Sequence, residues 1–274
     1  MTGMPECHLE IAALSDAGTE RDHNEDCCGS FVESGDCAIV GVADGVSSSE
    51  GGEVASQMAI EVTLRACREE APTRSAGQRL YNAVQQANIE IYEHAYAIPE
   101  LRGMTTTLTA VALDRGDLTA VHVGDSRLYL VRAGTITQLT KDHTLAAESL
   151  LRGFASKERA LADRSALTRS VGRELIVSRD RISRPLVQGD ALILCSDGLY
   201  NVLADAEMQR IVEGRDASAA CRALIAEAND RGTPDNLTAA VVRMIGPAST
   251  RPQPRGFLAA LRRLRGKPAS TRVL

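Results

Sequence analysis

The sequence predicts an α+β domain in which helices cover the outer faces of packed β-sheets. Three observations carry that expectation. Short apolar runs joined by tight turns recur along the 274 residues. Two longer stretches instead repeat apolar residues every three or four positions, the period of one helix face. The elements also come in blocks: strands, two helices, strands, two helices, strand. A chain that is 44% hydrophobic and 24% charged can bury the core of one fairly large domain and lacks the composition of a disordered protein. Aromatics make up only 3% and Trp is absent, so the core is built from Ala, Val, Leu and Ile, and stacking platforms for nucleotide bases are scarce.

Taken in order, Leu9 to Leu14 and Cys37 to Ala43 read as strands, the second apolar enough to be buried on both faces. Val54, Met58, Val62 and Ala66, then Leu80, Val84, Ala87 and Ile91, mark the buried faces of two helices. After Pro99 the texture turns to β: TTTLTAVALD, LTAVHVGD, RLYLVR and TITQLT read as an antiparallel meander. Residues 144–165 are polar and rich in Arg and Ala, which predicts one or two short helices outside the core. ALILCSD (191–197) is a buried strand, 205–213 and 216–230 are helical, and 236–245 closes the body as a strand. No repeat occurs at a solenoid or propeller period.

The domain reading is one unit over residues 1–246 and a basic, linker-like tail over 247–274. Seven of the 31 basic residues and none of the 36 acids lie in that tail, so the body carries −12 while the whole chain carries −5. A body this acidic is a poor partner for nucleic acid. Within the tail, Leu258, Leu261 and Leu264 among arginines allow a short basic amphipathic helix. The seven cysteines form no CxxC pair, which points away from a disulfide framework and towards a reducing compartment. No apolar run approaches the roughly 18 residues of a membrane span; the expectation is a cytoplasmic monomer.

The acids are placed with regularity. Asp44, Asp125 and Asp197 each follow a predicted strand, Asp235 precedes the last one, and Glu25 and Asp26 stand just before a short strand of their own. Strands of alternating direction would bring these ends to one edge. Two carboxylates about 4 Å apart repel by roughly 4 kcal/mol at an effective dielectric of ~20, so such a cluster needs shared protons or bound cations. Oxygen donors without Cys or His select Mg²⁺ or Mn²⁺ over zinc. Two such ions can lower the pKa of a shared water, which makes a hydrolase centre. Arg21, four residues before Glu25, supplies a guanidinium for a phosphate or for a salt bridge to the same acids.

At this point the residues resemble a known family. SDAGTERDHNED (15–26), ADGVSSSEGGEVAS (43–56), GMTTTLTAV (103–111), GDSRLYLVRAGTITQLTKDH (124–143), LTRSVG (167–172), GDALILCSDGLY (189–200) and DNLTAAVV (235–242) stand in the order and spacing of the metal-dependent, type 2C protein serine/threonine phosphatases, in their compact bacterial form. The resemblance implies a four-layer α-β-β-α sandwich with two central, mostly antiparallel sheets and two Mn²⁺ or Mg²⁺ ions, with a possible third. It implies that Asp44 bridges the ions, that the Gly45 carbonyl completes one, that Asp197 and Asp235 hold the other, and that Asp125 serves the third. Asp26 and Glu25 act directly or through bound water, Asn236 orients Asp235, and Arg21 binds the phosphate. The implied reaction is in-line attack of a metal-bridging hydroxide on phosphoserine or phosphothreonine. The implied partners are phosphorylated proteins and an opposing Ser/Thr kinase, and 144–165 matches a flap beside the site.

Two departures stand out. After ADG the chain reads Val46, Ser47 and Ser48 where relatives carry Met or His and two glycines. Val46 cannot donate a proton, so the leaving group is expected to be protonated by a metal-bound water or from elsewhere, and Ser47 and Ser48 read as loop residues, with contact to substrate as the alternative. Cys195, His122 and His143 read as structural.

Overall fold

The structure, a computed structural model, describes residues 9–46, 51–70, 73–153 and 166–246. Among the described residues, ten strands form two five-stranded sheets. One contains β1 (Leu9–Asp16), β10 (Leu237–Met244), β9 (Ala191–Cys195), β6 (Arg127–Arg132) and β7 (Thr135–Gln138), in that order across the sheet. The other contains β2 (Asp26–Ser34), β3 (Cys37–Asp44), β4 (Leu108–Asp114), β5 (Asp117–Val123) and β8 (Asp180–Pro185). Every pairing within them is antiparallel.

Helices α1 (Gly52–Glu69) and α2 (Ala76–Ala97) cover the second sheet. Ser75 caps α2 by accepting the Gln78 N–H at 3.3 Å. Beyond them lie α3 (Leu145–Leu151), the single turn α4 (Asp197–Tyr200), α5 (Asp205–Val212) and α6 (Ala217–Asp230). α5 and α6 cover the first sheet, and Asp216 caps α6 through the Ala219 N–H at 2.7 Å.

The side-chain alternation of the strands builds three apolar layers. In β3, Ile39 and Ala43 face α1 and α2, while Ala38, Val40 and Val42 face the opposite sheet. In β9, Ala191, Ile193 and Cys195 face α5 and α6, while Leu192 and Leu194 face inward. Each fully buried Val, Leu or Ile contributes about 1.5–3 kcal/mol. A register slip by one residue would reverse every one of these assignments, so the pattern fixes the pairing.

The expected α-β-β-α sandwich is observed. The expected meander is not: β4 pairs with β5 in one sheet and β6 pairs with β7 in the other. The chain changes sheets at Gly124–Ser126, where Gly124 adopts φ +105°. Two strands differ from expectation. β2 runs nine residues from Asp26 rather than forming a short strand, and β8 carries no sequence signal because it is an edge strand with Arg181 and Arg184 among its six residues. The first part of 144–165 is helical as α3, and the rest of it, 154–165, lies outside the described residues, as do Ser47, Ser48 and the 247–274 tail.

Candidate metal centre

Antiparallel order brings the predicted acids to one edge of the sandwich. Asp26 opens β2 and Asp44 closes β3, and the two are direct cross-strand partners. Like charges so placed destabilise a ladder unless something neutralises them. Asp125 follows β5 at the crossover, Asp197 follows β9 as the first residue of α4, and Asp235 lies two residues before β10. Since β9 pairs with both β6 and β10, the ends of all three stay in register at this edge.

Backbone hydrogen bonds hold the aspartates in place. The Thr107 N–H and the Thr106 hydroxyl both donate to the Asp44 carbonyl at 2.9 Å, and the Asp44 N–H donates to the Thr107 hydroxyl at 3.0 Å. The Gly45 N–H donates to the Glu25 carbonyl at 3.0 Å. A Cβ on Gly45 would lie 2.3 Å from the Gly52 carbonyl oxygen and 2.7 Å from that of Glu25, so only glycine permits this nesting. Gly198 is constrained in the same way, because a Cβ there would lie 2.1 Å from the Asn236 carbonyl oxygen. That close approach docks the Asp197 turn against the segment carrying Asp235.

Asn236 ties a third segment to these two. Its backbone N–H donates to Asp235 Oδ1 at 2.9 Å, while its side chain spans the 17–25 loop. Oδ1 accepts the Glu25 N–H, and Nδ2 donates to the Ala17 and His23 carbonyls. Its side chain therefore positions Glu25 rather than Asp235. The Glu25 carboxylate itself lies against the first turn of α1, beside Gly52. Arg21 pairs with Asp235 at 3.0 Å and donates Nε–H to the Pro234 carbonyl at 3.2 Å, so its acidic partner is Asp235 rather than Glu25 or Asp26.

Electrostatics mark this edge as unusual. Burial pushes the Asp26 carboxyl up to about 7; the Ser196 hydroxyl, donating to it at 2.6 Å, opposes the shift, and Asp197 and Asp235 add to it. Asp125 is likewise raised to about 7, by burial and then by Asp197 and Asp142. Asp44 is raised well above the usual carboxylate range by burial, with Asp26, Asp197, Asp125 and Asp235 all acting in the same direction. The array therefore binds protons near neutrality or exchanges them for cations. Among the described residues no three His, Cys, Asp or Glu side chains already stand as a closed ligand group.

Several contributors carry no signal in the sequence reading. Ser196 links Asp26 to β10 by also accepting the Thr238 N–H at 2.9 Å. Thr106 and Thr107 fix Asp44, and only their place in GMTTTLTAV, opposite the strand that ends in Asp44, hints at it. His122 and His143 are buried as structural residues: His122 bonds the Thr109 hydroxyl and the Lys141 carbonyl, and His143 Nδ1 accepts the Gly124 N–H at 3.1 Å. Cys195 is fully buried, with its thiol pKa raised by desolvation, and so is no nucleophile.

The family model for protein phosphatase 2C matches residues 18–242. The chain belongs to the protein phosphatase 2C family. The serine/threonine phosphatase Stp of Listeria innocua is 37% identical to this phosphatase over 234 residues, 83% of this chain and 93% of that protein. The crystal structure of the Mycobacterium tuberculosis serine/threonine phosphatase PstP/Ppp superposes with a TM-score of 0.77 at 33% identity, covering 87% of this chain and 99% of that one. A catalytic domain of the serine/threonine protein phosphatase PstP in complex with two manganese ions matches with a TM-score of 0.76 at 32% identity, over 87% of this chain and 99% of the other. Family membership makes this phosphatase an enzyme of the protein serine/threonine class.

Proposed function

We propose that this phosphatase hydrolyses phosphoserine and phosphothreonine esters on proteins with two divalent ions held at the acidic edge. The observation that carries the proposal is an acidic edge at which burial, with Asp197 and Asp235 nearby, raises the carboxyls of Asp26, Asp44 and Asp125, with Arg21 paired to Asp235 at its rim. The donor set fits hard ions: all its members are oxygens, and the nested backbone at Gly45 fits no larger residue. PstP with two manganese ions supports Mn²⁺, and the donor chemistry admits Mg²⁺ equally.

In this reading Asp44, the Gly45 carbonyl, Asp197, Asp235 and Asp26 would hold the two ions, and Asp125 would serve a third. Bound ions supply Lewis acidity and an activated water. The chain supplies the rest. Asn236 sets Glu25, Ser196 sets Asp26, and Thr106 and Thr107 set Asp44. Arg21 offers a planar fork to the phosphoryl oxygens and offsets the charge that grows there during in-line displacement. Val46 carries no ionisable group, so it does not protonate the leaving serine or threonine oxygen.

Hydrolysis of p-nitrophenyl phosphate with Mn²⁺ tests the reading: chelator and Asp197→Ala each abolish it, and turnover surviving both contradicts it. Preference for phosphothreonine peptides over free phosphometabolites separates a protein phosphatase from a small-ester one. We further propose a cytoplasmic monomer opposing a Ser/Thr kinase. The six described cysteines, all unbridged, support a reducing compartment, and among the described residues no helix is long and apolar enough to cross a membrane.

A further inference from the structure

We propose that Arg127 and Tyr200 are positioning residues that fix the spacing between Asp125 and Asp197 and thereby set the affinity of the outermost ion. The inference rests on the reading of the acidic edge as a metal centre. Tyr200 ends α4, the turn that Asp197 begins, and its hydroxyl donates to the Asp125 backbone carbonyl at 3.2 Å. Arg127 stands two residues beyond Asp125, and its guanidinium carbon lies 3.6 Å from the centroid of the Tyr200 ring.

That guanidinium has no freedom to turn. Nε and Nη2 donate to the Asp142 carboxylate at 3.1 and 2.7 Å, and Nη1 donates to the Tyr129 hydroxyl at 3.1 Å. Gln138 Nε2 donates to Asp142 from the other side at 3.0 Å. Arg127 is also the cross-strand partner of Cys195, two residues before Asp197. The chain thus closes a ring: Asp125 through Ser126 to Arg127 at the start of β6, across the ladder to Cys195, along to Asp197 and Tyr200, and back by the hydroxyl to Asp125. The two carboxylates that bound this ring repel each other, and a stacked cation with an O–H···O bond holds them together.

Substitution of Tyr200 separates positioning from simple support. Tyr200→Leu removes both ring and hydroxyl, whereas Tyr200→Phe keeps the stack and loses only the hydrogen bond. Each full-length variant is stripped with chelator, titrated with Mn²⁺ by isothermal titration calorimetry, and melted in parallel. The expected result is a loss of about 10–100-fold in the weakest Mn²⁺ step for Tyr200→Leu and a smaller loss for Tyr200→Phe. The tighter steps and the melting midpoint stay near those of the wild type. Three weakened steps falling together with the melting midpoint, or three unchanged steps, overturn the inference. A wild-type protein that takes up no Mn²⁺ at all overturns the metal reading itself, and the inference with it.

Discussion

Replacing Asp26 by asparagine isolates the electrostatic cost of the acidic edge. The Asp26 carboxyl titrates near 7 in the fold, against 3.8 as its ordinary value, chiefly because it is buried. Between those pH values the folded state keeps a proton that the unfolded chain has released. The contribution of this group to stability therefore falls as pH rises, and levels off above about 7. At about 1.4 kcal/mol per unit, ionising it costs the metal-free fold on the order of 4 kcal/mol at pH 8 and less than half of that at pH 5. The substituted amide carries no such cost and can still accept the Ser196 hydrogen bond. His122, held down to about 4 by burial and by His143, pulls stability the opposite way below pH 6.5, but it does so in both proteins and cancels in the comparison. In chelator, Asp26→Asn is expected to gain about 3 kcal/mol on the wild type between pH 5 and pH 8, a shift of roughly 6–12 °C in the difference of melting midpoints. Calorimetric melts at matched ionic strength measure it. A gap that does not change with pH, or that closes as pH rises, refutes the reasoning. Added Mn²⁺ is expected to reverse the order at pH 8, because the wild type alone keeps the full donor set.

Ser196→Ala removes one of the two hydroxyls that bond the Asp26 carboxyl, the other being that of Thr238, and takes the acceptor from the Thr238 N–H; melting should report a loss of about 1–3 kcal/mol. The acidic limb of its pH–rate profile should also move to higher pH, since that hydrogen bond lowers the Asp26 pKa. Gly198→Ala places a Cβ 2.1 Å from the Asn236 carbonyl oxygen; the backbone must move, costing about 1–3 kcal/mol and separating Asp197 from Asp235, seen as lower stability and weaker Mn²⁺ binding together. Arg21→Ala should lower kcat/KM for a phosphothreonine peptide by about a hundredfold or more while leaving the melting midpoint within a degree or two, because its ion pair with Asp235 is half exposed. Turnover unaffected by that change would remove Arg21 from the site.

The layers of this fold are legible wherever burial dictates residue type. CAIVGVA and ALILC are buried on both faces and read as strands without ambiguity, and the period of Leu80, Val84, Ala87 and Ile91 names the face α2 presents to its sheet. β8 escapes notice because an edge strand needs only one buried face and protects its other side with charge. The division of β4 to β7 between two sheets escapes for a different reason: a tight turn at Gly124 looks the same whether the chain returns to its own sheet or crosses to the next. At the site, the aspartates announce themselves by their place at strand ends. The hydroxyls of Thr107 and Ser196 and the side chain of Asn236 do not, since their partners lie 63, 170 and 211 residues away in sequence. Arg127 and Tyr200 fall within the quoted motifs, yet only the stack between them shows that the two motifs act on one another.

A crystal grown in manganese, with anomalous scattering recorded on both sides of the manganese edge, puts the central claim to its most direct test. The account predicts at least two manganese peaks among the carboxylates of Asp26, Asp44, Asp197 and Asp235, with Arg21 at their rim. Peaks confined to other surfaces, or none at this edge at saturating Mn²⁺, would contradict it.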